Sequence, residues 1–137
     1  MKILRPLSFL LPVAVLLLGG CGGSDSNSSS SITGTWQSGN TYFTFGSQDT
    51  VNARTSTQVF TGTYTAQENG EETNVTMSLS ADNGASSTSI RTEGSMRFLS
   101  PTQAVYTPVV REIGNSGEPE TAPDPGNIGE AANMTRL

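Results

Sequence analysis

Between residues 32 and 110 the apolar side chains recur at every second position in short runs, and no stretch sustains a helical repeat. Side chains of an extended chain point alternately to two faces, so this spacing demands strands with one face buried. Ile32, Gly34 and Trp36 share one parity, with Thr33, Thr35 and Gln37 on the other. Phe43 and Phe45 alternate with Tyr42 and Thr44, and Phe60, Gly62 and Tyr64 alternate with Val59, Thr61 and Thr63. Val75, Met77 and Leu79 against Asn74, Thr76 and Ser78 form the clearest half-buried strand. This reading also absorbs Asn74-Val75-Thr76, a formal glycosylation sequon, as plain strand. Over 87–99, Ile90, Thr92, Gly94, Met96 and Phe98 keep one parity, either as one long strand bent at Gly94 or as two short ones broken there. Residues 103–110 supply a last strand with Val105 or Tyr106 inward.

Turn residues separate these runs: Ser38-Gly39-Asn40, Asn69-Gly70, Asp82-Asn83-Gly84 and Ser100-Pro101-Thr102. Asn-Gly is the strongest of them, because both positions tolerate the positive φ of a tight hairpin. Sequential strands with short turns predict an all-β domain over 32–113, an antiparallel meander closed as a small up-and-down barrel. A two-sheet β-sandwich of the same strands is the alternative. Residues 114–137, rich in Pro, Gly and acidic side chains, read as a tail that is disordered or lies loosely over the barrel. Within it Asp124-Pro125-Gly126-Asn127 lacks the alternating ligands of a calcium loop.

The first twenty residues have a different character. Lys2 and Arg5 precede an apolar run over 7–18, which as a helix reaches about 18 Å against a hydrocarbon core of about 30 Å. That is a signal peptide over 1–20 rather than a permanent span. Leu18-Gly19-Gly20-Cys21 resembles the bacterial lipobox, an aliphatic residue and two small ones before the cysteine that receives diacylglycerol. The resemblance implies cleavage before Cys21 and a membrane anchor through lipid on that residue. Two acyl chains suffice for stable anchoring. In that family an aspartate directly after the cysteine retains the protein at the inner membrane. Gly22 stands there instead, which implies the outer membrane, facing the periplasm. Residues 22–31, GGSDSNSSSS, have no apolar side chain to bury and read as a flexible tether.

Charge and composition narrow the chemistry. Cleavage removes Lys2 and Arg5 and leaves five basic against twelve acidic side chains, a net of −7. Such a surface repels nucleic acid and favours solubility or a basic protein partner. The chain has no histidine, its one cysteine is Cys21, and no lysine remains after cleavage. Most nucleophile–base pairs and transition-metal ligand sets are therefore missing, and neither an enzyme nor a cofactor or metal site is expected. Glu68, Glu71 and Glu72 crowd a hairpin turn and Glu93 lies beside Arg91, positions that read as solvated surface. No internal disulfide can form, so packing and strand pairing alone must hold the domain.

Gly34-Thr35-Trp36 at the first strand, ahead of a β meander, resembles the opening of the lipocalins and their small bacterial relatives. In that family the tryptophan closes the base of the barrel and an arginine after the last strand packs on it. The resemblance assigns these roles to Trp36 and Arg111. The family's Thr-Asp-Tyr segment is missing and the chain is short for a ligand-carrying cup. The inward Phe43, Phe45, Phe60, Tyr64, Met77, Leu79, Met96 and Phe98 are enough to fill a small barrel. The expected function is a non-enzymatic envelope lipoprotein with a structural or protein-interaction role, such as inhibition of a basic enzyme. The alternative is a lipocalin-like binder of a small apolar ligand, whose binding residues the sequence does not identify.

Overall fold

The computed structural model describes residues 31–137. Eight strands follow one another: β1 Gly34–Ser38, β2 Thr41–Phe45, β3 Thr50–Arg54, β4 Val59–Asn69, β5 Glu72–Asp82, β6 Ser86–Ser100, β7 Gln103–Gly117 and β8 Ala132–Arg136. Each pairs antiparallel with the next, and β8 returns to β1, closing an up-and-down barrel. All eight strands lie in one ring, so the sandwich alternative is set aside.

The register carries the alternation read in the sequence around the ring. Trp36, Phe43, Ala53 and Phe60 are successive cross-strand partners on β1 to β4, and all are buried. The next inward row runs Phe45, Val51, Gly62, Leu79 and Ile90 over β2 to β6. Large side chains meet small ones within each row, as a narrow eight-stranded interior requires. Strand β6 is continuous, and its ladder with β7 shifts register between Glu93 and Gly94, leaving Val109 as the extra residue. A Cβ on Gly94, opposite the bulge, would collide with the Thr107 carbonyl oxygen and come within 2.8 Å of the Tyr106 ring, so this position must be bare.

Two features depart from expectation. Strand β3 has no run of large apolar residues; only Val51 and Ala53 alternate with polar neighbours, and both are fully buried. Residues 114–137 are part of the barrel rather than a disordered tail, and the domain extends past 113. Strand β7 continues to Gly117, residues 118–131 cross one end of the barrel around a 3-10 turn at Pro119–Thr121, and β8 closes the ring. The composition of this segment could not support structure by itself. It is ordered because Ile128 and Met134 dock into a core that the other strands supply.

Candidate functional site

The barrel offers three places where function could reside: its base, its mouth and its outer face. At the base, Trp36 is fully buried and its Nε1–H donates to the Ile32 carbonyl at 2.7 Å. Phe98 lies 5.7 Å from its ring centroid, tilted by 49°. The guanidinium over this indole belongs to Arg136, 5.6 Å from the centroid, and it also donates to the Thr33 carbonyl. Arg111 does not take that position. It lies toward the other end of the barrel, donating from Nε to the Ile128 carbonyl at 2.8 Å and from Nη2 to the Gly126 carbonyl at 2.7 Å. The assignment failed because the strand that closes the ring is β8, so the arginine beside Trp36 comes from the ladder of β8 with β1. Arg136→Ala should therefore alter Trp36 fluorescence and cost about 1–2 kcal/mol, whereas Arg111→Ala should leave the emission unchanged.

At the mouth, residues 118–131 form a strap fastened by barrel side chains. Thr88 Oγ1 donates to the Pro123 carbonyl at 2.7 Å, and Thr41 Oγ1 to Asn127 Oδ1 at 2.5 Å. Asn83 Nδ2 donates to the Thr121 carbonyl at 2.5 Å. These bonds seat Ile128 in the opening with no exposed surface. Ile128→Ala should cost about 2–4 kcal/mol in denaturant unfolding by leaving a cavity under the strap. An Arg111→Ala change should cost less, because the strap keeps its other fastenings.

Between the ends the interior is filled. The void below the strap, bordered by Phe43, Phe45, Met77, Met96, Tyr106 and Met134, is about 10 Å³, no more than one water occupies. Thr92 and Tyr106 share a buried hydroxyl–hydroxyl hydrogen bond of 2.8 Å. Among the described residues every buried side-chain N or O atom has a partner. Burial pushes the Tyr106 hydroxyl above its ordinary value of 10.0; the Thr92 bond opposes this and the charge of Glu93 adds to it. The folded state thus holds this proton more tightly than the unfolded chain. Its contribution to stability is complete below about pH 10 and is lost as pH rises through the folded value. The melting temperature should fall on alkalinisation above that point, and Tyr106→Phe should flatten the fall.

Among the described residues no acidic side chain is buried. Glu68, Glu71 and Glu72 are exposed at the β4–β5 hairpin, and Arg91 pairs with Glu93 and, at 3.6 Å, with Glu112. Among the described residues no three His, Cys, Asp or Glu side chains gather to hold a metal ion. Leu18, Gly19, Gly20 and Cys21 lie outside the described residues. Compared with known proteins, the chain matches no family model, no curated protein and no solved structure. Sequence reasoning missed Ile128 and Arg136. For Arg136 a signal was available, since Ala132, Met134 and Arg136 keep one parity; Ile128 stands alone between turn residues and gave none.

Proposed function

We propose that this chain is an envelope lipoprotein, acylated on Cys21 and held at the periplasmic face of the outer membrane, whose barrel serves a non-enzymatic protein-interaction role. The filled interior carries this reading. A pocket for a small ligand usually offers several hundred cubic ångströms, and the void here is about 10 Å³. With no orphaned polar group among the described buried side chains, nothing inside calls for a ligand to complete it. Recognition then belongs to the outer surface, and the anchor keeps that surface close to the membrane. The acidic balance of the processed chain favours a basic partner.

Position 21 is the point to test. Wild type should incorporate labelled fatty acid and fractionate with membranes, whereas Cys21→Ser should remain unprocessed and unlabelled. Unchanged processing and labelling in the serine variant would remove the anchor from the proposal. A hydrophobic fluorophore should neither bind stoichiometrically nor quench Trp36; if it does both, ligand carriage takes precedence over an interaction role.

A further inference from the structure

Closure of the barrel leaves one side of the end of β7 uncovered. Strand β8 pairs with β7 only over Gln103 to Tyr106, while β7 runs on to Gly117. Residues 112–117 pair on one side with 86–91 of β6, from Glu112 opposite Arg91 to Gly117 opposite Ser86. Among the described residues, no backbone hydrogen bond joins their other side to another segment. All six are exposed. In an antiparallel strand alternate residues direct N–H and C=O to opposite sides, so about three of the six present unpaired backbone groups to solvent. Nearer the barrel the same edge is blunted by Pro108 and by the extra residue Val109, two common ways of preventing unwanted pairing. Beyond them the protection stops.

We propose that residues 112–117 of β7 accept an extended, basic segment of a partner protein as an added strand. This rests on the protein-interaction reading above and names the surface that performs it. Backbone groups supply the attraction, as in other strand-addition sites, and flanking side chains select the guest. Here the flanks are acidic: Glu112 lies on the edge, and Glu118 and Glu120 follow it. The nearby cations are engaged, Arg91 with Glu93 and Glu112 and Arg111 with Glu130. Ile113, 42% exposed, gives the incoming strand an apolar contact. A second copy of this chain fits less well, because edge-to-edge pairing would bring together the Glu112, Glu118 and Glu120 of both copies. Gly114 and Gly117 weaken intrinsic strand preference, which keeps the edge quiet until a matched guest arrives.

The probe is a labelled eight-residue peptide alternating Thr or Val with Lys, titrated into the full-length chain by fluorescence anisotropy. Binding should weaken with added salt, and by at least about tenfold when alternate peptide nitrogens are methylated or when Glu replaces Lys. The amide protons of 112–117 that face away from β6 should exchange more slowly with the peptide bound. Gly114→Pro and Asn115→Pro form a matched pair, because neighbouring residues direct their N–H groups to opposite sides. One should abolish binding with the melting temperature held, and the other should break the β6 ladder and lower it. Equal binding of the methylated peptide, protection only at other amides, or binding that survives both proline variants would overturn the proposal. So would a dimer, seen by sedimentation, that protects 112–117 without peptide, since the edge would then serve a second copy. A partner protein that protects other amides removes the edge and keeps the interaction role. An anchored chain that cross-links to no neighbouring protein counts against the role itself.

Discussion

A chain stopped after residue 131 should lose its cooperative unfolding transition. Strand β8 supplies only five residues, but the ring closes through it. Its loss removes the pairing of Trp36 with Arg136 and Gln37 with Thr135 on one side, and of residues 103–106 with 132–135 on the other. The bond from the Arg136 amide to the Thr102 carbonyl at 2.8 Å goes with it. Met134, buried to 4% exposure, would leave the core, and Trp36 would lose the guanidinium that covers its ring. Uncovering Met134 costs about 2 kcal/mol, and opening the site around Trp36 adds an amount of similar size. Domains of this length are stable by only about 5–15 kcal/mol, and the two new edges of β1 and β7 would also invite aggregation. Thermal unfolding followed by circular dichroism and Trp36 emission tests this: a red-shifted emission and a broad or absent transition are expected. A truncated chain that melts like the full one would show that the barrel does not depend on β8.

That experiment also marks where the sequence stopped being legible. The parity of Phe43, Phe45, Phe60, Tyr64, Val75, Met77 and Leu79 could be read because each segment carries two or three large apolar residues, enough for a period of two to stand out. The fold class, the inward faces and the turns at Asn69-Gly70 and Asp82-Asn83-Gly84 followed from that pattern. Strand β3 was illegible because Val51 and Ala53 are small and flanked by polar residues, and they are inward only because Phe43, Phe45 and Phe60 on neighbouring strands need small partners. Strand β8 was hard to read for a related reason, since the parity of Ala132, Met134 and Arg136 contains one large apolar residue. Its inward residues are Ala132 and Met134, and its order comes from the slot between β1 and β7 rather than from its own composition. The misassignment of Arg111 follows directly. With β7 taken as the last strand, Arg111 was the only arginine in a position to follow it, while Arg136 fell in a presumed tail.

Replacing Gly62 by alanine should be among the most damaging changes that add a single methyl group. Gly62 pairs with Val51 on β3 and Leu79 on β5, in the row that Phe45 and Ile90 complete. A Cβ built on its backbone collides with the Ser78 carbonyl oxygen and comes within 2.8 Å of the Ser78 carbonyl carbon and 2.9 Å of the Leu79 Cα. All three are main-chain atoms, so no rotamer change relieves the overlap. Strands β4 and β5 would have to move apart along a ladder that runs from Thr61–Ser80 to Asn69–Glu72. Overpacking that displaces backbone costs about 3 kcal/mol or more, which for a domain of this size lowers the melting temperature by roughly 10–20 °C. Gly114→Ala is the control. Its Cβ would meet only the Ser89 hydroxyl, at 2.9 Å, and that side chain can rotate away. A loss within about 1 kcal/mol is expected there. The comparison separates two reasons for glycine in a strand: at Gly62 the neighbouring backbone excludes any side chain, and at Gly114 the space is available. Equal melting temperatures for the two variants would mean that β4 and β5 can separate at Gly62 without loss, and that this row is not close-packed.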